Sequence, residues 1–133
     1  MLQPKLTKFK KSFRPDWSGS SHSYISFGNF ALKAIEPGRL TPAHLESIRR
    51  VLTRFIKKQG NIWIRVFPHH PLSKKPLQAR MGGGKGSFDH WVANIKENQI
   101  IVEFTAPISI NSAKVAAKIV ESKLPLKTKF IFK

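Results

Sequence analysis

Thr41-Pro42-Ala43-His44-Leu45-Glu46-Ser47-Ile48-Arg49-Arg50-Val51-Leu52-Thr53-Arg54-Phe55-Ile56-Lys57-Lys58-Gln59-Gly60, followed at once by Asn61-Ile62-Trp63-Ile64-Arg65-Val66-Phe67, is the stretch that decides the fold. Thr41 can cap free N–H groups, Pro42 at the first helical position loses no hydrogen bond, and Gly60 reads as the matching stop. Between them Leu45, Ile48, Leu52, Phe55 and Ile56 fall on one helix face, while Arg50, Arg54, Lys57 and Lys58 gather on another. The period then switches: Ile62 to Phe67 alternate and are rich in β-branched and aromatic residues, which predicts a strand. An apolar helix face must be covered, and a sheet built on this strand can cover it.

Outward from this helix and strand, the remaining elements follow the same logic. Tyr24 to Ile35 alternate through Ile25, Phe27, Phe30 and Leu32 with Gly28-Asn29 interrupting, which predicts a bent or bulged strand ended by Glu36-Pro37-Gly38. Pro68 to Ser87 carries no apolar period and reads as one loop, longer than the roughly 12–15 residues usual in a compact domain. His90–Ile95 and Gln99–Thr105 are expected to pair as a hairpin across Lys96-Glu97-Asn98. A second helix is expected over 111–123, with Val115, Ala116, Ile119 and Val120 inward and Lys114 and Lys118 outward, ending before Pro125. Residues 127–133 close the chain as a strand with Phe130 and Phe132 on one side. Residues 1–23, basic and then rich in turn formers, read as an extension ordered by a partner, and 24–133 as the single folded domain. The expectation is an α+β two-layer sandwich, an antiparallel or mixed sheet covered by two helices, with a long basic glycine-rich loop and a basic N-terminal extension.

Twenty-four Lys and Arg against seven acids give a net charge of +17 on 133 residues, and 41% apolar residues are enough for a folded core. Such a surface repels itself and favours a polyanion, so nucleic acid is the first partner to consider. The chain has no cysteine, which excludes disulfides, thiolate catalysis and thiolate metal sites. No apolar run reaches the roughly 18 residues of a membrane span, and no signal-peptide core follows Met1-Leu2-Gln3-Pro4-Lys5. No membrane partner is expected. On the helix, Glu46 is the lone acid, so Arg50, Arg54, Lys57 and Lys58 are candidate phosphate contacts, as are Lys5, Lys8, Lys10, Lys11 and Arg14 of the extension.

Lys74-Lys75-Pro76-Leu77-Gln78-Ala79-Arg80-Met81-Gly82-Gly83-Gly84-Lys85-Gly86-Ser87 sets cations on a backbone nearly bare of side chains, able to lie against RNA where a Cβ would collide. As a nucleoside-triphosphate loop it fails. Ala79 stands where the Walker pattern needs its first glycine, and Gly86 stands where Ser or Thr should follow the lysine. His69-His70 are adjacent and lack carboxylates at ligand spacing, so no metal and no cofactor are expected. A ribonuclease using two histidines, with Lys85 or Arg80 stabilising the phosphorane-like charge, stays open on these residues, although His22, His44, His69, His70 and His90 read more simply as surface or RNA-contacting groups. Trp63 and Trp91 lie in strand patterns and should pack; Trp17 is freer to stack on RNA.

Five stretches together resemble the large-subunit ribosomal protein sixteen family of bacterial and organellar type. They are Met1-Leu2-Gln3-Pro4-Lys5 with Thr7-Lys8-Phe9; Ser26-Phe27-Gly28 with Leu32-Lys33-Ala34; Gly60 through Pro68; Lys75-Pro76-Leu77 through Arg80-Met81-Gly82 and Gly84-Lys85-Gly86 to Trp91-Val92-Ala93; and Lys123-Leu124-Pro125-Leu126-Lys127-Thr128. The resemblance implies an α+β sandwich seated on large-subunit rRNA beside A-site tRNA, among neighbouring ribosomal proteins, without catalysis or a small-molecule substrate. By position it gives Lys74, Lys75, Arg80, Met81, Gly82, Gly84, Lys85 and Gly86 a place facing tRNA and the peptidyl-transferase region, and Lys5, Lys8, Lys10 and Lys11 rRNA contact. The chain departs from the pattern at Gly83, where a lysine is common, at His69-His70, and in a shorter, less basic segment from Pro15 to Ser23. Its richness in Lys, Ile and Phe suits an organelle-encoded protein, so the mitochondrial matrix is the favoured compartment for its ribosome, with a bacterial cytoplasm or a plastid left open.

Overall fold

The computed structural model describes residues 2–16, 19–21, 24–57 and 59–133; the readings that fall on Trp17, His22 and Lys58 lie outside them. In chain order the elements are β1 (Phe30–Ala34), β2 (Gly38–Leu40), α1 (Pro42–Ile56), β3 (Asn61–Ile64), β4 (His70–Lys74), β5 (Ser87–Ile95), β6 (Ile100–Thr105), α2 (Ile110–Glu121) and β7 (Thr128–Phe132). The fold is α+β, but the single sheet expected from the sequence is two antiparallel sheets: a four-stranded one ordered β3-β6-β1-β7 and a three-stranded one ordered β2-β5-β4.

The start of α1 is as the residues dictate. The Thr41 hydroxyl accepts from the His44 N–H at 3.4 Å, and His44 Nδ1 accepts from the Thr41 N–H at 3.3 Å, so a histidine takes the place of the usual Glu in a capping box. The end differs. Lys57 adopts the left-handed conformation (φ 49°), and its N–H reaches Thr53 O at 3.1 Å, so the helix stops before Gly60. Gly60 serves close packing instead: a Cβ there would stand 1.8 Å from the carbonyl oxygen of Thr105 on β6.

Leu45, Ile48, Leu52 and Ile56 of α1 are buried, and α1 packs on α2 while touching β3 of one sheet and β5 of the other, so it straddles both. Phe55 is only partly buried against this core. On α2 the inward residues are Ala113, Ala116, Ala117 and Val120; Val115 and Ile119, expected inward, are exposed. The inward face is therefore mostly alanine, with Val120 its one β-branched residue.

Three further expectations are corrected by strand pairing. The hairpin between the fifth and sixth strands does not form: β5 joins β2 and β4, whereas β6 joins β3 and β1. Its connection is instead pinned to β1, with the Asn98 N–H on Ala34 O (3.0 Å) and the Ala34 N–H on Gln99 O (2.9 Å), which turns the chain from one sheet into the other. The loop expected over 68–87 contains β4, paired with β5, so the irregular part is 75–86. Pro71 within β4 and the missing apolar alternation hid this strand, as is usual for an edge strand. The strand expected from Tyr24 begins only at Phe30, because the backbone of Ser26, Phe27 and Gly28 is given over to a buried carboxylate.

That carboxylate is Glu103, on the face of β6 opposite the helices and fully buried. Oε2 accepts from the N–H groups of Phe27 (2.7 Å), Gly28 (3.0 Å) and Ser26 (3.2 Å), and Oε1 accepts from the Arg65 guanidinium. Burial opposes its ionisation, yet the donors from Gly28, Phe27, Ser26 and Arg65 prevail and hold it below the usual carboxylate range. Phe27 in turn stacks on Trp63 (6.0 Å) and lies under Arg65 (5.3 Å), sealing the site.

Candidate nucleic-acid interface

The three-stranded sheet presents one face away from the helices, and its register decides which side chains share that face. Arg39 is opposite Asn94, His70 opposite Val92, and Leu72 opposite His90, so Arg39, His70, Leu72 and His90 stand together as a floor. The N-terminal extension crosses this floor at Ser12 and Arg14, and the two ends of the glycine-rich segment, Lys74-Lys75 and Lys85-Gly86, form the far wall. Together they enclose a groove of about 350 Å³. Asp89 is its single acid, and its carboxylate is occupied by His90 Nδ1 at 2.7 Å.

The extension and the loop are tied to each other. The Lys85 ammonium donates to the Ser12 carbonyl and lies over the Phe13 ring at 5.9 Å; the Ser12 hydroxyl is 3.3–3.4 Å from the His70 ring nitrogens; Lys10 lies over Phe88 at 5.9 Å. At the N-terminal end Leu2 packs against the core. His70 is held below the ordinary histidine range, first by burial and then by Arg39, His69 and Lys85 around it. A neutral imidazole is what a site already crowded with cations selects.

The loop itself is closed at its base, because the Lys75 ammonium donates to the Gly82 carbonyl and a Cβ on Gly86 would stand 2.5 Å from Lys74 O. Gly82, Gly83 and Gly84 all have positive φ (91°, 70° and 83°), with open space where each Cβ would be. The requirement there is conformational: three successive residues sit where L side chains are strained, which turns the tip sharply. Arg80 and Met81 are exposed at that tip.

The predicted site residues therefore divide into two surfaces. Arg14, Lys74, Lys75, Lys85 and Gly86 converge on the groove, and Lys10 lies beside it on Phe88; Lys5, Lys8 and Lys11 are exposed along the same arm. Arg50, Arg54 and Lys57 form a separate exposed stripe on α1. Within that stripe Arg50 is not an independent cation, because Glu46 accepts from Arg49 (2.7 Å) and Arg50 (3.1 Å), whose hydrogen bonds lower its pKa to about 2. Sequence reasoning missed Arg39, which stands in the groove on a three-residue strand that no periodicity announces. It also gave no role to Ser12. Among the described residues no group of His, Asp and Glu is arranged to hold a metal, and no helix is long and apolar enough to cross a membrane.

A scaffold with its own packed core, a surplus of +17 and cations gathered from an arm, a sheet face and a loop around one groove is the design of a polyanion-binding protein. Comparison with known proteins gives the particular one. The family described as Ribosomal protein L16p/L10e matches residues 4–131, and the chain is 50% identical over 134 residues, covering 100% of its own length and 98% of the relative's, to "Large ribosomal subunit protein uL16" of Wigglesworthia glossinidia brevipalpis. The chain belongs to the Ribosomal protein L16p/L10e family. It is a structural, non-enzymatic protein of the large ribosomal subunit, with rRNA and ribosomal components as its partners, and the histidine ribonuclease is set aside. The relative is bacterial, so the ribosome is established as the location while the mitochondrial placement gains no support.

Proposed function

We propose that this protein organises the region where A-site tRNA meets the peptidyl-transferase centre, with residues 1–23 acting as an arm on the domain formed by 24–133. In this reading Lys5, Lys8, Lys10, Lys11 and Arg14 of the arm, Arg50 and Arg54 of α1, and Lys57 and Lys58, which follow it in sequence, hold large-subunit rRNA. Lys74, Lys75, Arg80, Met81, Gly82, Gly84, Lys85 and Gly86 carry the loop toward tRNA. The observation that supports it best is the tie between Lys85 and the Ser12 carbonyl, which gathers arm and loop into one cationic surface and leaves Arg80 and Met81 projecting beyond it. For the compartment, composition favours a mitochondrial ribosome and the kinship favours a bacterial one; complementation of a subunit depleted of its own copy in each system decides between them.

The test separates holding from positioning. Subunits carrying Arg80→Ala should assemble normally but accommodate A-site tRNA poorly, whereas charge reversal of Arg50 and Arg54 together should lower incorporation into subunits. Normal accommodation by Arg80→Ala ribosomes would refute the role given to the loop.

A further inference from the structure

Phe13 is the most exposed aromatic side chain among the described residues, at 93%. It is exposed although its surroundings are held in place. Ser12, immediately before it, is bound twice, through its carbonyl to the Lys85 ammonium and through its hydroxyl to the His70 ring, and Arg14, immediately after it, lines the groove. The backbone is thus held at Ser12, immediately before the ring, while the ring is turned outward. One cation, Lys85, lies over the ring at 5.9 Å. The neighbouring side chains Lys11 and Arg14 are cationic and exposed.

Leaving a phenylalanine ring in water forgoes the burial that would stabilise it, by roughly 1.5–3 kcal/mol. Among the other exposed aromatics, Phe27 is stacked on Trp63 and Phe132 is tilted against Phe130; Tyr24 and Phe9 are exposed as well, at 76% and 73%, each less than Phe13. An apolar protein pocket could cover Phe13, but a ring bordered by lysine and arginine is matched better by a ligand that is flat, aromatic and anionic at once. Unpaired RNA has that chemistry, because each base has a π-face and each linkage a phosphate.

We propose that Phe13 is a stacking platform for one unpaired RNA base, with Lys85 behind the ring and the flanking phosphates on Lys11 and Arg14. This deepens the RNA-binding reading of the arm and rests on it. Charge attracts any RNA; Phe13 adds a preference for a base that is not paired. The base lies on the ring face away from Lys85, and the cation strengthens the stack from the other side.

The full chain, its Phe13→Ala, Phe13→Leu and Phe13→Trp variants, and Lys85→Ala are titrated with oligoadenylate and with a fully paired RNA duplex of equal phosphate count, across a salt series. Phe13→Ala and Phe13→Leu should each weaken oligoadenylate binding by about 5- to 150-fold, the range expected for one stacked base. They should leave the slope of log affinity against log salt unchanged, because no phosphate contact is lost. Phe13→Trp should retain or improve binding, and duplex binding should change little in all three. Phe13→Leu at wild-type affinity would show an apolar contact rather than a stack and overturn the proposal, as would equal losses on duplex and single strand. Lys85→Ala should lower both RNAs and make the slope shallower. If the unmutated chain bound neither RNA in a salt-dependent way, the RNA-binding reading of the arm would fall together with the platform.

Discussion

Replacing Glu103 by Gln removes one charge and almost no volume from a fully buried polar position. The carboxylate accepts from three backbone N–H groups and from Arg65. An amide has one acceptor oxygen; its NH2 must face either the Phe27 and Gly28 N–H groups or the Arg65 guanidinium, and in both orientations donor meets donor. Losing one partner of a buried charge pair costs about 3–5 kcal/mol, and that cost is large against the roughly 5–15 kcal/mol that holds a domain together. Urea unfolding of the isolated protein at neutral pH should show this loss with an unchanged m-value. The pH dependence supplies an independent check. Glu103 has a folded pKa below the unfolded value, so its contribution is complete above the unfolded carboxylate range of about 4.3 and disappears as pH falls through the folded value. The gap between wild type and Glu103→Gln should therefore narrow on acidification below about pH 4.3. A destabilisation under about 1 kcal/mol at neutral pH, or a gap that widens in acid, would refute the account of Glu103 as the anchor of the Ser26–Gly28 backbone.

Gly60→Ala should destabilise by about 1–3 kcal/mol, measured by chemical unfolding, because the added methyl meets the backbone oxygen of Thr105, which cannot rotate aside as a side chain would. His70, depressed by burial and by Arg39, His69 and Lys85, should titrate in the free protein with a midpoint below about 6.5, followed by NMR of its ring proton. Its contribution to stability is then complete above the unfolded value and falls as pH drops through the folded one. Saturation with RNA should raise that midpoint, since phosphate beside the groove favours the imidazolium, and a downward shift would place the RNA elsewhere.

What the sequence disclosed and what it concealed divide along physical lines. Helix α1 was legible because cap, proline and apolar stripe act within a few residues of one another. The division into two sheets was not legible, since the local turn from Lys96 to Gln99 forms as a hairpin would need, and what redirects it is the bonding of Asn98 and Gln99 to Ala34, some sixty residues away in the chain. Strand β4 was hidden by Pro71, and β2 by its shortness, and these two strands build much of the groove. The cations of the arm and loop could be named from sequence, because charge needs no partner to be seen. Their convergence could not, for it is made by Lys85 reaching Ser12 across more than seventy residues.

The acids complete the physical argument. Each of the seven is engaged within the protein: Glu46 by Arg49 and Arg50, Glu103 by Arg65 and three backbone donors, Asp89 by His90, Glu36 by Lys127, Glu121 by the Thr128 N–H, Glu97 by Asn98, and Asp16 by a contact of its own. A soluble domain ordinarily scatters carboxylates over its surface to limit self-repulsion. Here they are few and employed as internal fasteners, so the arm, the groove and the loop tip present cations with almost no carboxylate to repel an approaching phosphate. The same scarcity leaves the free protein electrostatically strained, and rRNA relieves that strain on assembly. Surplus charge thus makes the ribosome the environment in which this fold is most stable, with stability and placement arising from one distribution of side chains.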